Sequence, residues 1–185
     1  MTNLVLSITG RVNGVGEHLV FGALLSTVYL STMKQHIKRW DQKLIAFFRV
    51  SYIPVARVAL FVVFFWFGFL KLTGASPAAE LAEALTAKTI GQDWFDVAFT
   101  LLAVLECVIG VLFLVPKAVR VVLPLLAVHL LVVCSPLVLV PELTWQSFLV
   151  PTLEGQYIIK NVVIVALALG VAAQTRPFTA KDVLQ

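Results

Sequence analysis

The sequence predicts an all-α polytopic membrane protein: a four-helix transmembrane bundle preceded by an amphipathic helix at the membrane interface. Three observations predict this fold. Of the 185 residues, 60% are hydrophobic and only 13% are charged, whereas soluble domains carry about 25% charged residues. Four apolar stretches are long enough to cross a bilayer core of about 30 Å. The net charge is +4, and the basic residues lie at the ends of these stretches. This placement is typical of residues that set membrane topology and does not indicate nucleic-acid binding.

The N-terminal residues 1–33 form an extension whose structure the sequence leaves open. Its apolar stretch, HLVFGALLSTVYL, is short for a span. No basic region precedes it, so it makes a poor signal peptide. Two interpretations remain: a fifth, weak span, or residues upstream of a natural start at Met33.

Residues 34–54 combine basic side chains with regularly spaced apolar ones. Ile37, Trp40 and Leu44 recur at helical spacing between lysines and arginines. Such a basic amphipathic helix is typical of segments that lie on an anionic membrane surface. We therefore expect this helix on the inner leaflet, leading through Pro54 into the first span.

The transmembrane domain is predicted over residues 55–173, followed by a cytoplasmic tail over residues 174–185. Proline, glycine or charged residues bound the apolar stretches, as expected for helix ends. The four spans are predicted at residues 55–72, 97–115, 119–140 and 157–173.

Lysine and arginine residues orient the predicted bundle. Residues 34–57 hold six basic side chains and one acidic side chain, and the turn between spans two and three carries Lys117 and Arg120. The loops at 73–96 and 141–156 are mainly acidic. The positive-inside rule therefore places both termini and the turn between spans two and three in the cytoplasm.

Four ionisable side chains fall inside or at the ends of spans: Lys71, Glu106, His129 and Lys160. Ionisable groups are costly in a membrane and are therefore functional candidates. Glu106 lies roughly 13 Å below the outer boundary at 1.5 Å per residue, within reach of Lys71 or Lys160. Two interpretations remain: structural pairing or snorkelling, or a site for a quinone, a proton or an anionic ligand.

His129 lies near the middle of its span, where a neutral histidine can bond a backbone carbonyl or a neighbouring helix. The four predicted spans hold no second histidine, which argues against a two-histidine haem. Cys107 and Cys134 are either inert packing residues or a redox pair. Their spacing matches no zinc site, so no metal is predicted. Gly68 and Gly110 are predicted to let helices approach closely.

Three strings carry a resemblance to a known family: FFWFGFLKLTG, LECVIGVLFLV and EGQYIIKNVVIVALALG. They resemble the DoxX-like superfamily, and its branch of small bacterial inner-membrane proteins that includes a reactive-chlorine-resistance protein. The resemblance covers residues 46–173. The family has an aromatic-Gly-x-x-Lys pattern in the first helix, which matches Gly68 and Lys71. It has a Glu with a following Gly in the second helix, which matches Glu106 and Gly110. A Lys followed by Asn or Asp in the fourth helix matches Lys160 and Asn161.

The resemblance implies a four-helix fold and a membrane subunit or anchor in redox or oxidative-stress handling, because some relatives are linked to thiosulfate-to-quinone oxidation. It implies quinone as a ligand and a redox protein as a partner. The chain shows no flavin, haem or CxxC signature, so it departs from a self-sufficient oxidoreductase and its enzymatic activity stays open. The alternatives are a small transporter working as a homo-oligomer, and a structural assembly factor of a membrane complex.

Overall fold

The computed structural model describes residues 14–175, with side-chain surroundings from residue 21 onward. The predictions for residues 1–13, and for the tail beyond residue 175, lie outside the described residues. The chain divides into two compact units between Val50 and Ser51.

The first helix, α1, extends over Gly14–Leu72. It contains both the predicted interfacial helix and the predicted first span, and it is continuous through Pro54. Proline has no N–H, so the carbonyl oxygen of Val50 loses its usual helical donor. Within the first unit, residues 21–50 are exposed throughout, including large side chains such as Phe21 and Trp40.

The second unit contains the last part of α1 and all the later elements. The elements are α2 (Ala79–Thr89), α3 (Phe95–Leu114), α4 (Val119–Cys134), α5 (Pro136–Leu139), α6 (Pro141–Thr144), β1 (Trp145–Ser147), β2 (Val150–Pro151), α7 (Leu153–Ile159) and α8 (Asn161–Ala172). Helix α2 is followed by a 3₁₀ turn at Gln92–Trp94, and a second 3₁₀ turn at Pro116–Ala118 precedes α4. The strands β1 and β2 pair antiparallel.

Four helical stretches in the described chain are long and apolar enough to cross a membrane: Phe21–Leu72, Gln92–Leu114, Pro116–Leu139 and Leu153–Ala172. This confirms the predicted all-α fold with four apolar helices. The fourth stretch consists of two helices, α7 and α8, which meet at Lys160.

The core of the second unit forms where α1, α3, α4 and α8 pack together. Its largest members, each almost fully buried, are Leu60, Phe64, Ile109, Phe113 and Leu126. The outward surfaces of the same helices are also apolar, since large side chains such as those on α3 and α4 remain exposed. Soluble monomers seldom expose extensive apolar patches, and this surface is typical of helices that face lipid.

One exposed ion pair connects the two loop regions at the same end of the unit. Lys88 of α2 donates to a carboxylate oxygen of Glu142 on α6 at 3.2 Å. The two side chains are 51% and 58% exposed. Exposed pairs of this kind contribute little to stability.

Candidate functional site

Two glycines set the separation of α1 and α3. A Cβ atom on Gly68 would lie 2.8 Å from the carbonyl oxygen of Ala103 and 2.8 Å from the sulfur of Cys107. A Cβ atom on Gly110 would lie 2.9 Å from the backbone nitrogen of Phe65. Only glycine fits at these positions without a shift, so the two helices approach more closely than larger residues would permit.

This close packing brings Lys71, one turn after Gly68, against Glu106 of α3. The Lys71 Nζ atom donates to Glu106 Oε2 at 2.6 Å. The two side chains are only 9% and 6% exposed. Buried charges in proteins are normally paired in this way, because an isolated charge loses its hydration without compensation.

His129 of α4 completes the group, since its Nε2 atom lies 3.7 Å from Glu106 Oε1. The histidine side chain is 4% exposed. Phe64 of α1 contacts the imidazole edge to face, with ring centroids 5.3 Å apart. We call Lys71, Glu106 and His129 the buried cluster. It joins three helices through one ammonium, one carboxylate and one imidazole.

The buried cluster offers hydrogen bonds of both kinds. Its ammonium group donates, its carboxylate accepts, and its imidazole can do either. Within the described residues, no group of three or more histidine, cysteine, aspartate or glutamate side chains is placed to hold a metal ion.

Of the two lysines predicted to reach Glu106, the structure brings only Lys71 to it. Lys160 is exposed at the junction of α7 and α8, and its Nζ atom lies 5.2 Å from the ring centroid of Tyr157, a cation–π distance. Asn161 lies beside Cys134. Lys160 and Asn161 are therefore separate from the buried cluster.

The two predicted redox candidates carry free thiols and face different helices. Cys107 donates weakly to the carbonyl oxygen of Phe65 on α1, with a sulfur-to-oxygen distance of 3.8 Å. Cys134, at the end of α4, faces Asn161 of α8. Both are free in the structure, and each thiol occupies a helix–helix contact of its own.

Sequence reasoning missed two features of this region. It placed His129 near mid-membrane but did not pair it with Glu106, although the similar depths of the two residues were a signal for it. It also missed Arg57, whose Nη1 atom donates to the carbonyl oxygen of Phe113 at 2.9 Å. That bond ties α1 to the last turn of α3.

Comparison of the chain with protein-family models, with curated proteins and with solved structures found no match.

Proposed function

We propose that the chain is a DoxX-like integral membrane protein that serves as a membrane subunit or anchor in redox or oxidative-stress handling. The observation that carries the proposal is the buried cluster of Lys71, Glu106 and His129. The DoxX-like part of the proposal is supported by the resemblance in residues 46–173, in which Lys71 and Glu106 are two of the matching positions.

The four apolar helices and their exposed apolar surfaces support insertion into a lipid bilayer. The basic residues near both ends of the chain and in the turn at Pro116–Ala118 support a cytoplasmic location for those parts. The proposed location is the bacterial inner membrane. The acidic loops at 73–96 and 141–156 then face the opposite side.

Burying the charged groups of the cluster costs free energy, and this cost supports a binding role for the cluster. Charged residues within a span cost about 2.5–3.5 kcal/mol on insertion scales. Apolar residues of similar volume often replace a buried ion pair with no loss of stability. Three ionisable groups in one apolar interior are therefore better explained by a ligand than by stability alone. A quinone or lipid bound in the outer half of the bundle, and passed to or from a redox protein partner, fits this role.

A second candidate function, a small transporter acting as a homo-oligomer, is favoured by one observation. Two of the four apolar stretches each contain two helices, which meet at Ser135 between α4 and α5 and at Lys160 between α7 and α8, with helical dihedral angles at both residues. Many transporters build their binding sites from discontinuous helices. Solute flux into liposomes containing only the purified protein would favour this function.

The test of the redox role is survival of oxidant exposure in cells that lack the native protein and express a variant. Lys71→Met and Glu106→Gln are expected to abolish protection even when expression is adjusted so that the amount of folded protein in the membrane matches the native level, since each removes a member of the buried cluster. Lys160→Met and Glu142→Gln are matched controls outside the cluster and are expected to protect normally. Full protection by Glu106→Gln would rule out a role for the cluster. If that variant also co-purified with a larger complex, an assembly factor would be the better description.

A further inference from the structure

Residues 21–50 of α1 carry an apolar stripe that no other element of the described chain buries. All of these residues are exposed. Six large apolar side chains recur among them at alternating spacings of three and four residues. We call these six the N-terminal stripe: Leu30, Met33, Ile37, Trp40, Leu44 and Phe47. Each is between 44% and 71% exposed, so the stripe lacks a cover over its whole length.

Alternating spacings of three and four residues are the pattern of a coiled-coil seam. Such residues repeat every 3.5 positions, and they form a narrow line along which two helices pack. A helix that faces a protein core usually presents a wider apolar face. The positions farthest from the stripe hold Gln35, Gln42 and Arg49. The stripe therefore fits a second helix with the same repeat, and another copy of this chain supplies one.

The charged residues beside the stripe are compatible with two copies that pair in parallel and in register. In a parallel coiled coil, a residue that flanks the seam faces the residue five positions later in the other helix. The facing pairs across two copies are Tyr29 with Lys34, His36 with Asp41, and Lys43 with Phe48. None of these pairs brings two like charges together. The other basic residues of the segment lie away from the stripe: Lys38, Arg39 and Arg49.

The stripe is also large enough to hold two copies together. Its six side chains expose roughly 700 Å² per helix, so pairing two copies covers up to about 1,400 Å², within the range of about 1,200–2,000 Å² for specific interfaces. Trp40 is the most exposed member, at 71%. Buried aromatic side chains supply much of the binding energy of protein interfaces, so Trp40 is the expected anchor of the pair.

The inner leaflet is the other surface that the sequence offers for this helix, and Asp41 distinguishes the two occupants. Asp41 directly follows Trp40 and lies along the edge of the stripe, between Ile37 and Leu44. An anionic membrane surface would repel this carboxylate. In the parallel pair the carboxylate instead faces His36 of the second copy. The position of Asp41 and the narrowness of the stripe therefore favour a second copy.

We propose that two copies of the chain associate in parallel through the N-terminal stripe and form a coiled coil over residues 30–47. Each stripe residue then meets the same residue of the second copy. The parallel direction rests on the membrane insertion in the proposed function, because two copies inserted with the same orientation carry the continuous helix α1 in the same direction. The redox role of the buried cluster is independent of this pairing.

Disulfide crosslinking of the full chain in native membranes tests the pairing. Both native cysteines are first replaced by alanine. Single cysteines are then introduced by Ile37→Cys or Leu44→Cys in the stripe, with Gln35→Cys and Gln42→Cys as matched controls. On mild oxidation, the stripe cysteines are expected to give at least about tenfold more covalent dimer than the controls, because a disulfide needs Cβ atoms about 4 Å apart. A residue crosslinks to its own counterpart here only in a parallel, in-register pair.

Charge substitutions give a second readout in mild detergent, where light scattering over a dilution series measures the mass of the complex and its dissociation constant. Leu44→Glu is expected to weaken the dimer at least about tenfold, because it places a carboxylate in the seam. Gln42→Glu, away from the stripe, is the matched control and is expected to keep the native affinity. Asp41→Lys is expected to weaken the dimer about fivefold by removing two pairs with His36, whereas it would strengthen attachment to an anionic leaflet.

Three results would each overturn the inference: crosslinking in the stripe no greater than at the control positions, a native protein that is monomeric throughout the dilution series, or an undiminished dimer in Asp41→Lys. The crosslinking needs no charged substitution, so it decides the question even if Leu44→Glu fails to fold. The survival of Glu106→Gln cells tests the proposed function separately, because it depends on the buried cluster, which lies outside residues 21–50.

Discussion

Breaking the buried pair of Lys71 and Glu106 should destabilise the protein far more than removing both partners. Lys71→Met leaves the carboxylate of Glu106 without its 2.6 Å donor in a site where its side chain is 6% exposed. Removing one partner of a buried pair costs about 3–5 kcal/mol, because the remaining charge is uncompensated. Glu106→Leu should cost a similar amount by isolating the ammonium.

The double variant, Lys71→Met with Glu106→Leu, should regain most of this loss. Neither charge is then buried alone, and apolar replacement of a buried pair is often neutral or stabilising. We expect the double variant to lie within about 1 kcal/mol of the native protein, giving a coupling energy of several kcal/mol in a double-mutant cycle. Reversible unfolding in mixed detergent and SDS micelles, followed by circular dichroism, measures these free energies.

The exposed pair of Lys88 and Glu142 is the matched control for this cycle. Lys88→Met, Glu142→Leu and their combination should unfold at the same SDS fraction as the native protein, because water already solvates both charges. Small losses in the Lys71 and Glu106 single variants, or a double variant whose loss equals their sum, would refute the reasoning. Either result would mean that the pair is solvated or contributes nothing as a pair.

Three further predictions follow from the same contacts. Gly68→Ala should destabilise the bundle by about 1–3 kcal/mol in the same unfolding assay, because the added Cβ would lie 2.8 Å from backbone and thiol atoms. Gly22 has open space around it, so Gly22→Ala should cause no loss of stability. Arg57→Met should cost about 1.5 kcal/mol by removing a charge-assisted hydrogen bond to α3; an unchanged unfolding midpoint would contradict this. The pKa of Glu142 lies below its usual value of 4.5, because the carboxylate accepts hydrogen bonds from the backbone N–H of Glu142 and from Lys88. The contact between Glu142 and Lys88 should therefore persist at neutral pH and be lost only as the pH falls through that lowered pKa. Carboxyl NMR titration checks this, and a pKa that does not move upward in Lys88→Met would contradict it.

Much of the fold was predictable, because the lengths of the apolar stretches and the positions of the charged residues can be read directly from the sequence. The sequence predicts four apolar stretches and the structure has four, but the first extends over Phe21–Leu72 instead of residues 55–72 alone. The pairing of Lys71 with Glu106 was among the predicted alternatives, since rise per residue gives the depth of each side chain. Depth alone left Lys160 as an equal candidate, because it says nothing about which way a side chain faces around the helix axis.

A single sequence did not show which way the site residues face around their helix axes. His129 meets Glu106 only because α4 packs against α3 with that face turned inward, and uniformly apolar spans give little periodic signal about rotation. The β1–β2 hairpin was also missed. Its turn places Leu149, and not a glycine, at a positive φ of 59°, so the usual turn residue that predicts a hairpin is absent from it. The membrane-surface role of residues 34–54 stays a prediction.

We propose that the apolar helices cross a membrane with the turn at Lys117 on the cytoplasmic side and the first turn of α7, which contains Glu154, on the other side. A membrane-impermeant thiol reagent applied to intact cells tests it directly, with Lys117→Cys and Glu154→Cys introduced separately after Cys107 and Cys134 are replaced by alanine. We predict labelling of the cysteine at position 154 in intact cells, and of the cysteine at position 117 only after the inner membrane is permeabilised. Labelling of position 117 from outside, or equal labelling of both positions before permeabilisation, would contradict the claim.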